Sequence, residues 1–110
     1  MFFFKKKTNA EKNKNDRDMI EANSKMMEAL IVLTDNADLK ADFKAIEEQI
    51  KYIIPLVDDK AAEMDKKIKN AISDIKIELV KDRADDKATA KLNGLVKDLK
   101  VLIAERKALV

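Results

Sequence analysis

Residues 50–61 read IKYIIPLVDDKA, and whether a helix runs through them decides the fold. Ile54 stands before Pro55. Proline disfavours the helical conformation of the residue before it and has no N–H for the carbonyl four residues back. Three residues on, Asp58 and Asp59 form a helix start, because adjacent aspartates cap free N–H groups and meet the positive end of the helix dipole. A stop followed by a start predicts one helix ending near Ile54 and another beginning at Asp58. The alternative carries the helix through Pro55 with a kink, giving three long helices suited to a dimer.

Both flanks have helical rhythm. Upstream, Leu39, Phe43, Ile46, Ile50 and Ile53 repeat at 4-3-4-3, the seam of a coiled coil or bundle. Downstream, Met64, Ile68, Ile72, Ile75 and Leu79 take it up. The tetrapeptide DDKA recurs at 85–88, followed by Leu92, Leu95, Leu99, Leu102 and Leu109. SDIKI (73–77) and KDLKV (97–101) echo each other as well. The repeats admit either an internal duplication or chance recurrence among a few common residues. Nearer the N-terminus, Met19, Met26 and Leu33 recur every seven residues with Ala22, Ala29 and Leu30 between them. TDNAD (34–38), rich in capping residues, ends that segment and starts the next.

The predicted helices span 16–34, 37–54, 58–82 and 86–109. Short connections favour antiparallel neighbours, so the expected fold is all-α: an up-down antiparallel bundle of four helices over 18–110, behind a basic, disordered tail over 1–17. Leu39, Ile46, Ile50, Ile68, Ile75, Leu79, Leu92, Leu99 and Leu102 are its expected core. Asn93-Gly94 is a turn dipeptide, yet the heptad phase runs unchanged from Ala88 to Leu109. Gly94 then reads as a close packing point inside a helix, at about 1 kcal/mol against alanine.

Composition agrees. At 110 residues the chain is one domain. Apolar residues make up 46% and charged residues 40%, with one Gly and one Pro, which favours long helices and leaves a sheet without turns. Exposed faces carry acid-before-base pairs four apart, Glu21–Lys25, Glu47–Lys51, Glu63–Lys67 and Asp65–Lys69, which read as solvated helix surface.

The same inventory narrows the chemistry. Cysteine and histidine are absent, so disulfides, thiolate chemistry, the commonest general base and the commonest metal ligand go together. Ser24 and Ser73 have no histidine, and one glycine cannot make a phosphate loop. Asp35-Asn36-Ala37-Asp38 lacks the alternation of a calcium loop. The inward positions read as Ile, Leu, Met and Ala, leaving no carboxylates for a di-metal site. No catalytic residue, metal, cofactor or small-molecule substrate is expected, and the protein reads as a non-enzyme. Arg106 falls where the seam calls for an apolar residue. At a bundle end its stem can pack while its head reaches water.

Contact with partners is the positive signal. Apolar width exceeds one stripe at 26–33, 53–57 and 95–103, which makes Met26, Met27, Leu30, Val96, Val101 and Ile103 candidates for self-association or for a protein partner, a homodimer included. The competing reading uses these wide faces inside a compact monomer. The N-terminus adds a second signal. Phe2, Phe3 and Phe4 are followed at once by Lys5, Lys6 and Lys7. Aromatics that enter the headgroup boundary beside lysines that meet anionic lipid would make a weak anchor. Codon bias of an AT-rich genome would also produce the run.

The net charge is +2, but Lys5, Lys6, Lys7, Lys12, Lys14 and Arg17 face only Glu11 and Asp16 in the first 17 residues. Nucleic-acid binding through this tail is the alternative function, weakened by the lack of spread aromatics for stacking and by Glu63 and Asp65 beside Lys66, Lys67 and Lys69. The longest apolar runs, Ala29–Leu33 and Ile53–Val57, fall well short of the roughly 20 residues of a membrane span. The expected location is the cytoplasm, with the inner face of the membrane as the option that the N-terminal run adds.

Overall fold

A computed structural model describes residues 9–81 and 86–109, with side chains described over 11–81 and 89–109. Four helices follow one another: α1 (Asn9–Leu33), α2 (Ala37–Lys51), α3 (Asp59–Val80) and α4 (Asp86–Lys107). No strand occurs among the described residues. The fold is the expected all-α up-down bundle of four helices.

The stop and start around Pro55 are both realised. α2 closes at Lys51 with Tyr52 as its C-cap, and Asp58 caps α3, its carboxylate accepting from the Lys60 N–H. Asn36 does the same for α2, accepting from the Asp38 and Leu39 N–H groups. The second DDKA begins at Asp85, outside the described residues.

The order around the bundle differs from expectation. α1 packs on α2 and α3, and α4 packs on α3 and α2, so α2 and α3 lie on a diagonal although a short connection joins them. A square bundle with helices 8–10 Å apart has a diagonal of about 14 Å. Residues 52–58 can reach about 23 Å when extended, so the chain crosses the end of the bundle instead of turning back beside α2. The start of α1, the end of α2, the start of α3 and the end of α4 therefore share one end, called here the crossing end.

The core contains Ile20, Met27, Leu30, Phe43, Ile46, Ile50, Ile53, Ile68, Ile72, Ile75, Val96, Leu99 and Ile103. Of the expected core, Ile46, Ile50, Ile68, Ile75 and Leu99 are buried, while Leu39, Leu79, Leu92 and Leu102 are half-buried at its edge. In α4 the buried positions are 96, 99, 103 and 106, so the face turns toward Val96 and Ile103, away from Leu95 and Leu102.

α1 departs most. It begins at Asn9, within the stretch assigned to the tail, and its inward series is Asp16, Ile20, Asn23, Met27, Leu30 and, just past its end, Thr34, with Ser24 buried beside it. Their spacing is 4-3-4-3-4, one position on from the Met19–Met26–Leu33 stripe. Three of the six are polar, so apolar periodicity selected the neighbouring stripe. Met19 and Met26 are half-buried, and Leu33 is exposed. Gly94 is also corrected. It is exposed, and a Cβ added there would meet nothing within 4 Å, so it is not a packing point.

Candidate functional site

The crossing end combines a buried ionic cluster with an exposed apolar loop. Arg106 extends the inward 96–99–103 series of α4 by one more step and is 0% exposed. Its head therefore does not reach water; it turns into the bundle and meets carboxylates there. Nη2 donates to Asp16 Oδ2 at 2.7 Å and to the Ile54 carbonyl at 3.0 Å. Nε donates to Asp65 Oδ1 at 3.0 Å. Asp65 and Asp16 are 0% and 3% exposed. Both sit at inward positions of their helices, Asp65 in line with Ala61, Ile68 and Ile72.

The expectation that no acidic residue lies inside is thus overturned, as is the assignment of Asp65 to a surface pair with Lys69. A carboxylate at a seam position looks, in sequence, like any charged residue beside a lysine. The available signal was Arg106 on the seam: a buried guanidinium must find buried acceptors, because an unpaired charge inside is too costly to keep.

The cluster also fastens the crossing connection. The Leu56 N–H donates to Asp16 Oδ2 at 2.7 Å, and Asn13 Nδ2 donates to the Pro55 carbonyl at 3.4 Å. Asn23 Nδ2, two inward steps beyond Asp16 along α1, donates to the Asp65 carbonyl at 3.1 Å. The early turns of α1 are therefore held by polar contacts, which is why a segment with so little apolar character is helical. Burial, and then the Asp16 carboxyl beside it, outweighs Arg106 and pushes Asp65 up to about 8. Toward the other end of the bundle, Glu78 accepts from Lys91 at 2.9 Å and Lys81 at 3.3 Å. The hydrogen bond from Lys91, ahead of that from Lys81, holds it below the usual carboxylate range.

Over this polar floor the connection exposes apolar side chains: Tyr52 at 67%, Ile54 at 56% and Val57 at 40%. Of the sequence candidates for self-association, Met27, Leu30, Val96 and Ile103 are core, Met26 is half-buried against it, and Val101 alone is exposed. Within 26–33 and 95–103 most of the wide face is spent inside the chain, because two helices flank each helix and bury more than one stripe. Val32, Leu33 and Val101 stay exposed, as do Ile54 and Val57 of the 53–57 stretch. Phe2, Phe3, Phe4, Lys5, Lys6 and Lys7 lie outside the described residues. Among the described residues, no group of three or more acidic side chains is placed to hold a metal, and no helix is long and apolar enough to cross a membrane. Comparison with known protein families, with characterised proteins and with solved structures finds no match.

Proposed function

We propose that the protein is a non-enzymatic helical bundle that works by surface contact, with its crossing end resting on an anionic membrane. One observation carries the reading: Tyr52, Ile54 and Val57 are exposed on the connection that Asn13 and Asp16 tie to the early turns of α1. The segment FFFKKK precedes Asn9, the first residue of α1. The helix that follows this segment in sequence begins at the crossing end. Full burial of one phenylalanine is worth about 1.5–3 kcal/mol, and insertion at an interface yields less. Each lysine near an anionic surface adds about 1 kcal/mol. Neither part suffices for stable anchoring, but together they make a reversible one.

Cosedimentation with vesicles tests this. Binding should require anionic lipid, weaken with salt, vanish when residues 2–7 are deleted, and fall when Tyr52 and Ile54 are both replaced by serine. Equal binding by intact and truncated chains, or equal binding to uncharged vesicles, would rule it out.

A protein partner, a second copy of the chain included, is the second reading. It draws on the opposite end, where the parallel neighbours α1 and α3 finish with Val32, Leu33, Ile77 and Val80 exposed. If this end associates, Val32→Lys with Val80→Lys should shift sedimentation at micromolar concentration toward the monomer. A wild-type chain that is already monomeric at high concentration argues against self-association.

A further inference from the structure

We propose that Asp16, Asp65 and Arg106 form a proton-holding latch, in which one proton shared by the two carboxyls completes the cluster that clamps the crossing connection to the bundle. The inference concerns the fold itself and holds whether or not this end meets a membrane.

Two carboxyls face a single guanidinium, and all three groups are buried. With both carboxyls ionised the cluster carries an excess negative charge out of water, which a low-dielectric interior strongly disfavours. Among the described residues only Arg106 pairs with either carboxyl. Lys12 of α1 and Asp58 and Asp59 at the start of α3 line the pocket beside Asp16, where the two carboxylates offset the lysine without an ion pair to the cluster. α1 contributes Asp16 with Asn23, α3 contributes Asp65, α4 contributes Arg106, and the segment after α2 contributes only the Ile54 carbonyl and the Leu56 N–H. Uptake of one proton brings the cluster to neutrality.

The hydrogen bonds say where that proton goes. Asp16 Oδ2 accepts twice, from the guanidinium and from the Leu56 N–H, both at 2.7 Å, which suits the anion. Asp65 Oδ1 accepts once, from Arg106 Nε at 3.0 Å. The other oxygens, Asp16 Oδ1 and Asp65 Oδ2, are buried and have no partner among the described residues, as is true of Arg106 Nη1, and both carboxyls converge on the one guanidinium. A proton on Asp65 Oδ2, donated to Asp16 Oδ1, would satisfy both. The rise of Asp65 to about 8 agrees with this placement. A pocket of about 130 Å³, walled by Lys12, Met19, Leu56, Asp58, Asp59 and Ala62, reaches Asp16 from the surface.

The sign of the pH dependence follows. Asp65 binds its proton in the folded chain up to about pH 8, whereas in the unfolded chain it releases it near its ordinary value of 3.8. Its contribution to stability is complete below pH 4 and is lost as pH rises toward 8. Over that window the folding equilibrium constant should fall by up to about tenfold per pH unit from this group alone.

Carboxyl carbon NMR of the full chain reads the latch directly. Asp65 should titrate well above the ordinary range. Asp65→Asn keeps a donor toward Asp16 and an acceptor for Arg106, so at pH 8 it should melt no lower than wild type, and its stability should change less between pH 5 and 8. Asp16→Asn removes the anion and should melt lower throughout. If Asp65 titrates in the ordinary carboxylate range, or if Asp65→Asn melts as low at pH 8 as Asp16→Asn, the cluster is a plain double ion pair and the latch is refuted. The wild-type titration decides the matter even if a variant does not fold.

Discussion

Ile68 and Asp65 lie one turn apart on the same face of α3, as do Ile103 and Arg106 on α4 and Ile20 and Asp16 on α1. All six are buried, yet the upper member of each pair packs by shape and the lower by charge. Aliphatic packing tolerates exchange: a residue of similar volume in a nearby rotamer costs little. The ionic layer does not, because the hydrogen bonds of each member need the others and the connection to stand at the same level. A buried ion pair gives little net stability over an apolar replacement of similar volume, but removing one partner strands a charge. The apolar middle should therefore lose stability in proportion to atoms removed, and the crossing end whenever its charges cease to match.

Substitutions can break this contrast. The largest effect is expected at Arg106. Arg106→Met leaves two buried carboxyls without a cation and should cost about 3–5 kcal/mol in denaturant unfolding. A loss below 1 kcal/mol would mean that the ionic layer opens to water and the contrast is false. Next comes the aliphatic middle, where Ile75→Ala or Leu99→Ala, each fully buried, should cost about 2–5 kcal/mol. In a double-mutant cycle, Arg106→Met and Ile75→Ala should add, whereas Arg106→Met and Asp65→Asn should not, since the latter pair shares hydrogen bonds.

Smaller effects sharpen the picture. Asn36→Ala removes two capping hydrogen bonds at an exposed site and should lower stability by about 1 kcal/mol. Compared with Asp16, it measures how much less a local cap matters than a tertiary one. Gly94→Ala should raise stability by about 0.5–1 kcal/mol, because the site is helical and open. A loss there would revive Gly94 as a contact point with something outside this chain.

Much of the bundle was legible in the sequence. Pro55 with Asp58 and Asp59 set the break between α2 and α3, because a missing N–H and a pair of capping carboxylates act within a few residues. Four helices and most of the core in α2 and α3 followed from seven-residue spacing, which reports the face that leaves water; in α4 it found Leu99 but missed Val96 and Ile103. The candidate site was only partly legible: Arg106 stood out on the seam, but its acceptors did not. Asp16 and Asp65 resemble surface residues until three helices place them side by side. The inward face of α1, its start at Asn9 and the diagonal placement of α2 and α3 came only with the tertiary structure. Periodicity counts apolar residues one helix at a time, whereas these features depend on a charge, its partners and a loop from four parts of the chain meeting at one level.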